Sequence, residues 1–286
     1  MKAVLTPNPY RDRNFKLVEQ AVAILHEAGV ETKICLPFDV DKGFELPKDI
    51  KLHDINREIK NADVLICFGG DGTILHSSKI ATRNHVPILG VNVGTMGFMA
   101  ELEASELHLL AKLPEKSYTI EKRMMLHVTV ENEGKELFNE VGLNDAAITK
   151  GAVARVIQVS VECDGVEASN FSGDGVIVST PTGSTAYSMS AGGPIVEPSA
   201  QNLIITPICA HAVNTKGIVT SPFRTISVRL GKLGRRNAFL SVDGGRAYRL
   251  NVGDVVTVKK AKEETCLLRL KQTSFYEILN NKIYSR

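Results

Sequence analysis

Val64-Leu65-Ile66-Cys67-Phe68-Gly69-Gly70-Asp71-Gly72-Thr73 decides how the chain is read. An apolar run stops at two glycines, followed by one carboxylate, a third glycine and a threonine. Ile74-Leu75-His76 then opens a helical pattern. The whole stretch reads as strand, tight turn, helix. Gly69, Gly70 and Gly72 let backbone come close to a ligand and adopt φ > 0. The N–H groups of such a turn, with a helix N-terminus behind them, suit phosphate. Asp71 does not, because it is itself negative. A carboxylate there suits a Mg²⁺ ion or the proton of a hydroxyl. The first functional expectation is phosphoryl transfer to an alcohol.

Working outward, residues 2–6 predict a strand. Phe15, Val18, Val22 and Leu25 recur at helical spacing, and Gly29 supplies a stop. A strand over 32–36, a polar loop to 51 and a brief helix over 54–60 lead into the glycine turn. Helix 73–83 follows, then the apolar strand 86–91. Strands alternating with helices predict a parallel sheet with helices on both faces. Ligands of such sheets bind beyond the carboxyl ends of the strands, where Asp71 stands. Asn92-Val93-Gly94-Thr95-Met96-Gly97-Phe98 is a second glycine loop at a second strand end, and the two loops predict a shared crevice. A helix near 105–112 closes this half.

After about residue 120 the pattern alternates with period two. Strands are expected over 125–131, 156–163, 176–179, 203–207, 225–230, 238–242 and 255–259. Asp164-Gly165 and Asp243-Gly244-Gly245 read as hairpin turns. This half is mostly antiparallel β, and 275–280 returns to helical character.

Lys and Arg number 34 against 32 Asp and Glu, a net charge of +2 with no basic stripe, which argues against nucleic acid. Apolar runs fall short of a membrane span. Met1–Leu5 reads as a first strand and not as a signal peptide. Cys35, Cys67, Cys163, Cys209 and Cys266 are scattered, and they read as reduced core residues of a cytoplasmic protein.

A second signature lies in the β half: Ser172-Gly173-Asp174-Gly175-Val176-Ile177-Val178-Ser179-Thr180-Pro181-Thr182-Gly183-Ser184-Thr185-Ala186-Tyr187-Ser188-Met189-Ser190. Its hydroxyls can bond a sugar or an amide, and Tyr187 can pack on a base. Asn144-Asp145 precedes an apolar stretch, and taken alone it reads as a turn.

Together, Gly69–Thr73, Asn144-Asp145 and Asp174…Ser179-Thr180-Pro181-Thr182-Gly183-Ser184-Thr185-Ala186-Tyr187 resemble the NAD kinase family. The second glycine loop resembles that family's too. The likeness runs from about residue 60 to 200 and fades toward the C-terminus. The glycine turn alone is shared with lipid kinases and phosphofructokinases, whereas the Ser/Thr block is far more specific.

The resemblance implies α/β plus all-β architecture. An N-terminal open parallel α/β nucleotide domain, 1–120 joined by 262–286, precedes a β-rich sandwich-like NAD-binding domain, 121–261. It implies transfer of the ATP γ-phosphate to the 2′-hydroxyl of the adenosine ribose of NAD, with Mg²⁺ carried on ATP. Homodimers or homotetramers are implied, with residues borrowed between subunits. Asp71 matches the catalytic carboxylate. Gly69, Gly70, Gly72, Thr73 and His76 match nucleotide or phosphate contacts. Asn144 and Asp145 match the pair that holds ribose and adenine, although the family usually has Asn-Glu. Arg155 matches a variable contact, and Asp174 matches the acid facing the nicotinamide portion. Thr185, Ala186, Tyr187, Ser188, Met189 and Ser190 match the pocket-lining segment. Gly245 stands where relatives often carry Gln or His. Polyphosphate in place of ATP stays open. So do a diacylglycerol-type lipid kinase and a non-catalytic dinucleotide sensor.

Overall fold

The computed structural model describes residues 1–284 apart from 43, 95–96, 153–154, 212–214, 234–236 and 272. Thr95 and Met96 of the second glycine loop, and the Arg235-Arg236 pair read as a solvated hairpin tip, lie outside the described residues. The chain divides into two compact units, Met1–Lys122 with Thr265–Arg286, and Arg123–Glu264.

The first unit is built on β1 (Lys2–Pro7), β2 (Glu31–Cys35), β3 (Leu52–His53), β4 (Val64–Gly69) and β5 (Ile88–Asn92). They lie in the order β3-β2-β1-β4-β5, all parallel. The connecting helices are α1 (Lys16–Glu27), α2 (Ile55–Glu58) and α3 (Asp71–Arg83). Every residue of β4 and β5 is buried, as expected of central strands covered on both faces. One face packs Leu5, Ile66, Phe68, Leu89 and Val91 against Val18, Ala21 and Leu25 of α1 and Leu107, Leu110 and Leu113 of the 3₁₀ stretch Ala104–Glu115. β6 (Leu102–Glu103) runs parallel to β5. Leu267, from the strand Val255–Arg269, also pairs in parallel with β5, at Ile88.

Register brings the carboxyl ends of three strands level. Pro7 pairs with Phe68, and Gly69 with Asn92. Two loop amides extend the ladder, Asn8 N to the Phe68 carbonyl at 2.8 Å and Val93 N to that of Gly69 at 3.0 Å. The glycine turn therefore sits between the loops after β1 and β5.

The second unit holds most of β7 (Thr119–Asn132), then β8 (Lys135–Gly142), β9 (Asp145–Lys150), β10 (Ile157–Cys163), β11 (Val166–Gly173), β12 (Gly175–Ser179), β13 (Leu203–Ile208), β14 (Ile218–Thr220), β15 (Ile226–Leu230), β16 (Ala238–Val242), β17 (Tyr248–Leu250) and the first part of β18 (Val255–Arg269). One antiparallel sheet is ordered β14-β13-β12-β9-β16-β17, while β11, β10, β15 and β18 run side by side in another. Alternate residues face a common core. Leu126, Val128, Val159, Val161, Val256 and Val258 of the second sheet meet Ile148, Val176, Val178, Ile205, Leu240 and Val242 of the first. This is the packing of a sandwich. Glu133-Gly134, Asp164-Gly165 and Asp243-Gly244 all have positive φ, the geometry of two-residue hairpin turns.

Several expectations are corrected. α3 begins at Asp71 with Gly70 as its N-cap, two residues before the expected start. None of Gly69, Gly70 and Gly72 has positive φ, and Gly70 lies at φ −101°, ψ −170°. The turn is thus an extended N-cap entering a helix, a shape that needs no left-handed residue. The last strand runs to Arg269, ten residues past the expected Lys259, because its pattern re-enters a core at Leu267 and Leu268. All five cysteines are free, but only Cys35 and Cys67 are buried and Cys209 is exposed.

Candidate active site

Asp71 is the first residue of α3, so its carboxylate stands where the helix dipole favours negative charge. Two backbone N–H groups of the second glycine loop hold it, Phe98 to Oδ2 at 2.8 Å and Met99 to Oδ1 at 3.0 Å. Gly97 makes this possible, because a Cβ there would collide with the Asp71 carboxylate. The shared crevice thus begins with the second loop gripping the acid of the first.

Around Asp71 lies a pocket of about 380 Å³ lined by Asn8, Arg11, Phe38, Gly70, Gly72, Thr73, His76, Gly97 and Lys282. Thr73 is buried and accepts from Asn8 Nδ2 through Oγ1 at 3.0 Å, which ties the glycine turn to the loop after β1. His76 is exposed on α3 with its ring 5.3 Å from that of Phe38. Arg11 Nη1 donates to the Val93 carbonyl at 3.3 Å. One carboxylate among three cationic or titratable side chains, beside helix N-terminal amides, is chemically able to hold a phosphate and to take up a proton.

In the second unit, β12 organises the remaining predicted residues. Asp145 pairs with Ser179 at one end of this strand, and Thr149 with Gly175 at the other, next to Asp174. Asn144 and Asp145 stand at the first end. The Ser/Thr block is bound to them: Thr180 Oγ1 donates to the Leu143 carbonyl at 2.6 Å and Thr180 N to that of Asn144 at 2.9 Å. Gly183 packs on the Asn144 carbonyl where any Cβ would clash. Thr182 accepts from buried Arg123 at 3.2 Å, and Ser184 donates to the Pro181 carbonyl at 2.6 Å. Most hydroxyls of the block therefore brace the turn itself. Asn144 Oδ1 is buried without a donor, an acceptor suited to a ligand.

Asp145 is 5% exposed. Burial, and secondarily the charge of Asp243, push its carboxyl up to about 7. Asp243 closes this turn from across the sheet. Its carboxylate accepts from the amides of Leu143, Asn144 and Asp145 at 2.7, 2.7 and 3.1 Å.

Asp174, at the other end of β12, pairs with Lys150 at 2.9 Å. Arg155 is exposed beyond β9 at that same end. Asp174 and Ser179 are five positions apart, roughly 16 Å of strand, so Asp174 and Asp145 are not brought together. The short helix α4 (Tyr187–Ser190) lies over the middle of the strand. Ser188 is buried and shares a 2.8 Å hydrogen bond with Thr206, which pairs with Ile177. Tyr187 and Ser190 are exposed on that face, Met189 is half-buried, and Thr185 and Ala186 lead into the helix. His211 and Gly245 are exposed, and His127 meets Asn139 at 2.8 Å.

Sequence reading passed over Asn8, Arg11, Lys150, Asp243 and Lys282. Asn8-Pro9-Tyr10-Arg11 carried a usable signal, since it follows a parallel strand at its carboxyl end. Asp243 and Lys282 reach their partners only through the fold.

Two family models match, the ATP-NAD kinase N-terminal domain over residues 8–118 and the ATP-NAD kinase C-terminal domain over 143–270. The NAD kinase of Caldanaerobacter subterraneus is 37% identical over 286 residues, covering 100% of this chain and 99% of its own. That of Acetivibrio thermocellus is 33% identical, covering 100% and 98%. An NAD kinase from Archaeoglobus fulgidus solved in complex with ATP superposes with a TM-score of 0.75 at 28% identity, covering both chains fully. Yeast NADH kinase complexed with NADH shares the fold, with a TM-score of 0.84 at 23% identity over all of this chain and 87% of that one. With both halves matched, the chain belongs to the NAD kinase family.

Proposed function

We propose that the protein transfers the γ-phosphate of ATP to the 2′-hydroxyl of the adenosine ribose of NAD, making NADP and ADP. The observation that carries this reading is Asp71, held by two amides at the edge of a cationic pocket and at a helix N-terminus. The 2′-oxygen forms a bond to the γ-phosphorus, the bond from that phosphorus to the β–γ bridging oxygen breaks, and ADP leaves. The hydroxyl proton goes to Asp71. A ribose hydroxyl is far too weak an acid to lose its proton to a carboxylate, reference pKa about 3.9, before the reaction starts. Asp71 therefore accepts it late, as the new bond forms. Both carboxylate oxygens are already oriented, so positioning contributes before any proton moves.

Among the described residues no group of three or more His, Cys, Asp or Glu is placed to hold a metal ion. Mg²⁺ would instead be carried on the phosphates of ATP, and Asp71 is the carboxylate among the residues lining the pocket that would face it. Bound there, the ion would neutralise phosphate charge.

In the second unit, Asn144 Oδ1 and Asp145 are acceptors for ribose hydroxyls and adenine N–H, and Tyr187 offers a ring face. The separation of Asp145 from Asp174 along β12 fits a homodimer or homotetramer in which a neighbour supplies one of them. Free cysteines fit the cytoplasm. No described helix is long and apolar enough to cross a membrane.

The test is incubation with NAD and ATP·Mg²⁺, with NADP read by a coupled dehydrogenase and polyphosphate run beside ATP. Asp71→Asn is expected to lower turnover by about 10² or more while NAD affinity stays within roughly tenfold. Near-normal turnover in the variant would remove Asp71 from the base role. NAD binding without any NADP would favour a sensor, and phosphorylated diacylglycerol a lipid kinase.

A further inference from the structure

The first unit is completed by the end of the chain, and this segment carries a lysine to Asp71. After β18, Arg269 donates to Glu121 at 2.7 Å and to Glu101 at 3.2 Å, and Lys271 pairs with Glu106 at 2.7 Å. A capping box between Ser274 and Glu277 starts α5 (Phe275–Leu279), whose Phe275 lies 6.4 Å from Phe98. The helix runs into a π-type turn, Asn280–Tyr284. Lys282 in that turn holds its Nζ 4.1 Å from the centre of the Phe98 ring and 3.9 Å from Asp71 Oδ2.

This arrangement is poorly explained as a structural ion pair. At 3.9 Å the ammonium is too far to hydrogen-bond the carboxylate. A partly exposed pair of this length contributes about 0–1 kcal/mol. The amides of Phe98 and Met99 already orient Asp71. The Phe98 ring positions the ammonium and leaves its three N–H donors to turn elsewhere.

Geometry indicates where they would turn. A hydroxyl that gives its proton to Asp71 lies about 3 Å from it. The phosphorus it attacks lies about 3–3.5 Å further on. The oxygens of that phosphoryl group fall within reach of a flexible ammonium 3.9 Å from the same carboxylate. They also carry the charge that spreads in transfer. We propose that Lys282 is a catalytic residue whose ammonium moves from beside Asp71 onto the transferring phosphoryl group of ATP. This rests on the phosphotransfer reading given above.

The test uses full-length Lys282→Met and Lys282→Arg. The Met variant is expected to lower kcat by about 10–100-fold. Its KM for NAD stays within about twofold, because the lost contact is to the phosphoryl donor and not to NAD. Arg, keeping the charge, restores at least about half of that loss on a logarithmic scale. Calorimetric titration with tripolyphosphate should show affinity about threefold or more weaker in the Met variant, from one lost charged hydrogen bond. Wild-type protein that makes no NADP overturns the kinase reading, and the titration then still decides Lys282. Unchanged kcat or unchanged tripolyphosphate affinity in Lys282→Met overturns the assignment. So does a loss that Arg does not relieve and that comes with a lowered melting temperature, the mark of a structural strut.

Discussion

Asp145 and Asp243 place two carboxylates at one turn, and the fold separates their tasks. Asp243 is spent on three backbone amides, while Asp145 is buried beside it with its carboxyl raised to about 7. The raised value has a definite sign for stability. The unfolded chain loses this proton near the reference value of about 3.9, whereas the folded chain keeps it until about 7. The stabilisation is full below the lower value and fades as pH rises to the upper one. Between pH 5 and pH 8 the wild type should therefore lose more melting temperature than Asp145→Asn, and equal losses would refute the shift. The KM for NAD should fall over the same rise in pH, because the ionised form is the better acceptor for ribose hydroxyls. From its own chemistry Asp145 was legible only as half of an Asn-Asp turn, and the family resemblance alone marked it as a ligand contact. Its neighbour Asp243 was read as a hairpin tip, since nothing local shows that its carboxylate reaches amides 98 to 100 residues away.

The strand–turn–helix element β4–α3 was legible because its message is local. An apolar run, a glycine break and a helical period are all contiguous. Its fine structure was not. The glycines suggested left-handed backbone, but the turn is an extended N-cap, and the tight contact falls at Gly97 in the other loop. Gly97→Ala is accordingly expected to push the loop off Asp71, lowering kcat by about tenfold or more. The fold should survive, which circular dichroism would check, and full activity would show that the two amides do not set the carboxylate. The Ser/Thr block was read as a row of sugar-binding hydroxyls. Most of them turn inward because a loop buried on β12 must satisfy its own polar groups.

Each unit carries a different part of the proposed chemistry, phosphate and base in the first, dinucleotide recognition in the second. NAD at about 100 times its Kd adds about 2.7 kcal/mol to a folded state that binds it. Scanning calorimetry should show the unfolding midpoint of the native protein raised by saturating NAD, and an unmoved midpoint would contradict the NAD site. The division into an alternating βα half and a β-rich half was visible as a change of hydrophobic period near residue 120. What composition and period could not show is which late segments belong to the early unit, because parallel pairing such as Leu267 with Ile88 leaves no local trace.

That late return has a consequence on the ribosome. Leu267, Leu268 and Arg269 belong to the first unit, yet they are translated after every residue from Arg123 to Glu264. At about 5–20 residues per second this interval lasts on the order of ten seconds. Throughout it the nascent sheet lacks the strand that flanks β5 at Ile88, and a bare strand edge invites mispairing. The half of the protein that emerges first is thus the half that finishes last. The pocket around Asp71 gains Lys282 only after every residue of the second unit has been made.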